Sequence, residues 1–115
     1  MNSVSKNNLI FSIIIPVFNT KISYFIRCLE SIRNNNLDKN QFEVIIINDG
    51  MENFSEYNST INEYLKESNI QIKVISNPLN LKQGYSRYIG LKASEGEYIH
   101  FVDSDDEIFP YTYTK

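Results

Sequence analysis

The segment Tyr98-Ile99-His100-Phe101-Val102-Asp103-Ser104-Asp105-Asp106 runs from an apolar stretch straight into carboxylates. If the chain stays extended past Val102, its side chains alternate, and Asp103 and Asp105 project to the same side. Two carboxylates held so close repel unless a cation sits between them or one keeps its proton. Ligands that offer only oxygen favour a hard divalent ion such as Mg2+ or Mn2+. Such an ion can clamp a diphosphate and stabilise its charge as it leaves. The same residues also read as a solvated acidic turn that caps a following helix, and the motif alone leaves both readings open.

The elements that must carry these residues are legible in the apolar pattern. Four short runs stand out: Phe11–Val17, Phe42–Ile47, Ile70–Ile75 and Tyr98–Val102. The first two are almost continuously apolar and β-branched, as strands buried on both faces should be. Between the first two, Ile22, Phe25, Ile26, Leu29 and Ile32 repeat at helical spacing and form one stripe. Ile61, Tyr64 and Leu65 do so more weakly, and Asn80 to Gly84 opens a third helical segment in which Tyr85, Ile89 and Ala93 share a face. This alternation predicts an α/β fold, a Rossmann-like, mostly parallel sheet with helices on both faces joined by right-handed crossovers. Ligands of such sheets bind in the crevice beyond the carboxyl ends of the strands. There the sequence places Pro16-Val17-Phe18-Asn19, Asn48-Asp49-Gly50, Asn77-Pro78 and Asp103-Ser104-Asp105-Asp106.

Composition narrows the partners. The chain has 115 residues, enough for one domain with a sizeable core, and is 42% hydrophobic and 22% charged, a globular balance. Its net charge of -3 provides no basic footprint for nucleic acid, so an anionic ligand must be held locally. Cys28 is the only cysteine, which excludes an internal disulfide and a cysteine zinc cluster and fits a reducing compartment. Leu9 to Phe18 is too short to span a bilayer, and Pro16 and the lack of a small-residue cleavage site speak against a signal peptide. Met1 to Asn8 reads as a loose tail, with residues 9–115 as the domain. No glycine stands in the first strand–helix turn and no Gly-rich loop ends in Lys-Ser/Thr, so the dinucleotide fingerprint and the P-loop are both absent.

Four blocks, taken in order, are more specific than any one of them. They are Ser12-Ile13-Ile14-Ile15-Pro16-Val17-Phe18-Asn19, Glu43 through Gly50, Ser86 through Ile99, and Asp103-Ser104-Asp105-Asp106. In order and spacing this set resembles the family 2 glycosyltransferases of GT-A fold, over about Ile10 to the end of the chain. The resemblance implies an inverting transfer from a nucleotide-diphosphate sugar, a UDP-sugar favoured, to a hydroxyl of a carbohydrate or lipid-linked acceptor, in cell-surface polysaccharide or glycoconjugate synthesis. It also implies site roles. Pro16 and Phe18 match the turn that lines the base pocket, with Phe18 where the family usually has Tyr. Asp49 matches the residue that accepts a base N–H, although Asp49-Gly50 also reads as a plain Asx turn. Arg87 matches the basic residue that contacts the nucleotide or its phosphates, against a plain surface salt bridge. Asp103 and Asp105 match the two ends of the DxD motif, Asp105 as the direct Mn2+ or Mg2+ ligand and Asp103 as a ribose or second metal contact.

There are departures as well. Asn48-Asp49-Gly50-Met51 lacks the family's serine, a helix N-cap, Tyr88 replaces an Asn, and Lys82 stands where Gly is common. His100 and Cys28 read as packed core residues. The general base is expected downstream of the DxD motif, so the chain is expected to hold the donor-binding half, without the acceptor-binding part and inactive by itself. The expected location is cytoplasmic, peripheral to the inner membrane face in a full-length protein, and the apolar, Tyr-rich residues up to Tyr113 suggest a homodimer through the C-terminal region. A nucleotidyltransferase would usually carry a Gly-rich basic loop that Phe18-Asn19-Thr20-Lys21 does not supply. A non-catalytic binding module is the other alternative, and the intact acidic constellation argues against it.

Overall fold

A computed structural model describes residues 9–77 and 83–108. The chain runs β1 (Phe11–Val17), α1 (Ile22–Arg33), β2 (Phe42–Asp49), α2 (Ser55–Tyr64), a 3-10 turn (Lys66–Ser68), β3 (Gln71–Asn77), α3 (Gln83–Ala93) and β4 (Tyr98–Phe101). The four strands form one sheet in the order β3-β2-β1-β4, with every pair parallel. This is the expected α/β class. The Met1–Asn8 tail, Pro78, the helix opening at Asn80–Lys82 and the Phe109–Lys115 part of the suggested dimer region lie outside the described residues.

Strand alternation explains why β1 and β2 are apolar throughout. Ile13, Ile15 and Val17 of β1 join Val44 and Ile46 of β2 under Phe25, Cys28, Leu29 and Ile32 of α1 and Ile61 of α2. The intervening Ile14, Ile45 and Ile47 face the other way, against Ile89 and Ala93 of α3. From β1 to β3 the chain adds strands in one direction, and β4 then returns to the far side of β1. With right-handed crossovers, that reversal moves α3 to the opposite face from α1 and α2.

The face of α3 differs from the expected one. Tyr85 is 47% exposed and does not share the inward side with Ile89 and Ala93. The inward stripe is instead Ser86, Ile89, Gly90 and Ala93, an i, i+3, i+4, i+7 set with Ser86 and Gly90 buried. Gly90 is what lets the helix come so close: a Cβ there would meet Ile14 Cγ2 at 2.4 Å.

A buried carboxylate closes the amino edge of the sheet. Glu43 is 2% exposed, and its Oε2 accepts hydrogen bonds from the Ser12 hydroxyl at 2.7 Å and the Glu95 N–H at 2.7 Å. Gly96 N–H donates to Ser12 Oγ at 2.8 Å, and Lys73 Nζ lies 3.2 Å from Glu43 Oε1 while donating to Ala93 O at 2.6 Å. The donors compensate the burial of the charge. Together they seat the α3–β4 turn on β1 and so set where β4 begins.

Overpacking at α3 gives a direct check. Gly90→Ala should destabilise the domain by about 1–3 kcal/mol in urea unfolding, because the added methyl must displace Ile14. Leu91→Ala, at an exposed position of the same helix, should cost much less.

Candidate functional site

The sheet order reverses between β1 and β4, so the loops that leave these two strands diverge and open a crevice at their carboxyl ends. Val102 N–H donates to Ile14 O at 2.9 Å as the last rung between the strands. In a parallel ladder the next bond would run from the nitrogen of residue 16 to the carbonyl of residue 102. Residue 16 is proline and has no hydrogen to give. Pairing of β4 therefore stops at Phe101, and the chain turns: Asp106 N–H donates to Asp103 O at 3.0 Å.

That turn corrects the expectation of an extended segment past Val102. Asp103 and Asp105 converge through a tight turn, not through strand alternation, and the turn brings in Asp106 as well. One carboxylate oxygen from each of Asp103, Asp105 and Asp106 lies within 4.8 Å of the others, and all three residues are exposed. Strand alternation gives Asp106 no place in a metal set; the signal for it in the sequence is three carboxylates within four residues. A triad of oxygen donors open to solvent fits a hard divalent cation.

Helix α1 lies under this turn. The hydroxyls of Thr20 and Ser104 share a hydrogen bond, and Cys28 Sγ is 3.8 Å from Asp103 O. The Cys28 thiol is pushed up to about 12, first by burial and then by the nearby Asp106, Asp105, Glu107 and Asp103 carboxylates. It is a protonated core group, as its place on the apolar stripe suggested. His100 is half-buried in β4, and burial lowers its pKa, which favours the neutral ring.

The remaining sequence-predicted residues line the same edge. Arg87 projects from α3 to within 3.6 Å of Asp103 Oδ1, and its guanidinium lies over the Phe101 ring at 5.8 Å. The pair is partly exposed, so it contributes little to stability. Arg87 Nε is buried and has no hydrogen-bond partner among the described residues. Asp49 is buried at the end of β2, and Asn77 Nδ2 approaches its Oδ1 at 3.5 Å while donating to Ser86 Oγ at 3.2 Å. Pro16 is half-buried in β1, and Phe18 is 46% exposed just after it.

The turn after β2 is tied by Asn48. Met51 N–H donates to Asn48 Oδ1 at 2.9 Å, and Asn48 Nδ2 returns a bond to Met51 O at 3.0 Å, around Gly50 with φ 89°. Asn48 therefore closes the turn. The missing serine at position 51 also costs no cap here, since α2 begins later, at Ser55.

The sequence model described as "Glycosyl transferase family 2" matches residues 12–115. The chain belongs to this family. Among its relatives, the "Putative glycosyltransferase EpsH" of Bacillus subtilis (strain 168) is 41% identical over 99 residues, covering 86% of this chain and 27% of its own length. The structure of S. aureus TarS 1-349 in complex with UDP-GlcNAc superposes with a TM-score of 0.78 at 30% identity, over 90% of this chain and 29% of that one. The structure of GalNAc-T7 with UDP, GalNAc and Mn2+ matches with a TM-score of 0.75 at 27% identity, over 93% of this chain and 20% of that one. The chain thus spans less than a third of the length of these three proteins. Membership sets aside the nucleotidyltransferase alternative. Among the described residues, no helix is long and apolar enough to cross a membrane.

Burial of Cys28 can be read chemically. At pH 8 the folded chain should leave its thiol unlabelled by an aromatic disulfide reagent, and the urea-unfolded chain should react fully. Because the folded pKa is raised from its ordinary value of 9.0 to about 12, the thiol's contribution to stability is intact below pH 9 and is lost as pH rises toward 12. Rapid native labelling at pH 8 would contradict this placement.

Proposed function

We propose that this chain is the donor-binding part of an inverting glycosyltransferase that uses a nucleotide-diphosphate sugar, with a UDP-sugar as the donor. The observation that carries the reading is the convergence of Asp103, Asp105 and Asp106 at the switch point of the sheet, with Arg87 beside them. The complexes of S. aureus TarS with UDP-GlcNAc and of GalNAc-T7 with UDP and Mn2+ support the choice of donor and of a divalent ion.

In this reading Asp105, with Asp103 and Asp106, holds Mn2+ or Mg2+, which when bound supplies positive charge against a departing diphosphate. Arg87 adds a second positive group, and its Nε, without a partner among the described residues, is a donor that a phosphate oxygen would satisfy. Asp49 accepts an N–H from the base, which fits a carboxylate buried at the carboxyl end of β2. Pro16 and Phe18 flank the base, and Asp103 also reaches the ribose. The acceptor is a hydroxyl of a cell-surface carbohydrate or a lipid-linked glycan, and the work takes place on the cytoplasmic side of the membrane.

Titration calorimetry tests the metal and the base contact separately. UDP should bind more tightly in Mn2+ than in EDTA, and Asp105→Ala should abolish the difference while the protein still unfolds cooperatively. Equal affinity with and without metal would remove the metal assignment. Asp49→Ala should weaken UDP by about 1–3 kcal/mol, the cost of leaving a buried donor unpaired, and leave ribose 5-phosphate nearly unchanged. Equal losses for both ligands would make Asp49 structural.

A further inference from the structure

The acidic turn has a second set of contacts that its carboxylates do not make. Three side chains of the segment that opens and forms α1 reach it from behind. Thr20 hydrogen-bonds the Ser104 hydroxyl, Cys28 Sγ approaches Asp103 O at 3.8 Å, and Ile108 N–H donates to Ser31 Oγ at 3.0 Å. Ser31 is itself held, because its hydroxyl donates to Cys28 O at 2.7 Å. Ile108 and Ser104 are buried, and Ile108 belongs to the core that covers the α1 face of the sheet. The contacts at Asp103, Ser104 and Ile108 bracket Asp105 and Asp106 from both sides.

Such bracketing answers a specific difficulty. Exposed carboxylates this close repel one another, and a free loop would relieve that repulsion by splaying apart. The β4 ladder cannot hold the turn, since it has ended at Val102 N–H. We propose that α1 positions the acidic turn for its cation, with Ser31 as the principal positioning residue and Thr20 as the second. This role deepens the proposed metal-dependent donor binding and rests on it. Ser31 touches no metal or sugar nucleotide in this scheme. It fixes the backbone at Ile108, so the carboxylates meet a cation already converged and do not have to be gathered by it.

The test measures Mn2+ affinity of the chain by electron paramagnetic resonance, together with amide hydrogen exchange at Ile108. Ser31→Ala should weaken Mn2+ about tenfold, as loss of an outer-shell support typically does, and Ser31→Thr, which keeps the hydroxyl, should restore it. If Ser31→Ala does not fold, Thr20→Val against Thr20→Ser makes the same comparison at the other end of the strap. Unchanged Mn2+ affinity in the folded Ala or Val variant overturns the proposal, because a purely structural serine would leave the ion's affinity alone. If the wild-type chain itself binds no Mn2+, the metal reading falls and the strap is judged by exchange alone. Faster exchange at Ile108 in Ser31→Ala then upholds the positioning of the turn, and unchanged exchange overturns it.

Discussion

One missing hydrogen governs the carboxyl edge of this domain. Pro16 sits in the strand from which both neighbours take their register, and it has no N–H for the rung that would otherwise pair β1 with Val102. A residue with a donor at that position would extend the ladder and carry the chain straight through Asp103. With the rung absent, β4 is released earlier than its apolar residues require. Three carboxylates then curl together where a longer strand would have spaced them along an edge.

The opposite edge is built on the reverse principle, with every donor used. Glu43 draws a hydroxyl, a backbone N–H and an ammonium from three different segments onto a single buried carboxylate. Fixing the entry to β4 there, while leaving its exit without a rung, gives the strand one end held by hydrogen bonds and one end free to turn. The apolar faces in between make the rest rigid: β1 and β2 are packed on both sides, so loops that leave them inherit a fixed origin. That rigidity is what allows a site assembled from four separate segments to hold its geometry.

Electrostatically the site is poised for a cation and an anion together. The acidic turn carries more negative charge than Arg87 can balance, in a chain whose net charge is already -3. In the proposed scheme a divalent ion would neutralise the turn and leave Arg87 able to engage a phosphate, so that each ligand would make the other's binding more favourable. The exposure of Arg87 and Asp103 leaves their pairing weak enough to be exchanged in this way.

The strands, the α/β class and the polar residues at the carboxyl edge are all legible in the sequence, because burial on both faces imposes continuous β-branched runs and the chain order fixes which residues leave each strand. Asp49, Arg87, Asp103 and Asp105 stand out as candidates through the order of four short blocks. The rest depends on contacts between residues far apart in the chain. An extended course past Val102 fails because it takes a proline on a neighbouring strand to end the ladder. Spacing puts Tyr85 inward because it cannot show that Gly90 draws the helix in beside it. Asp49 and Asn48 are adjacent polar residues, and only the fold shows that Asn48 closes the turn and leaves Asp49 buried beside Asn77. Periodicity reports which face a residue occupies, whereas which partner it meets there is decided by the packing of segments that the sequence keeps apart.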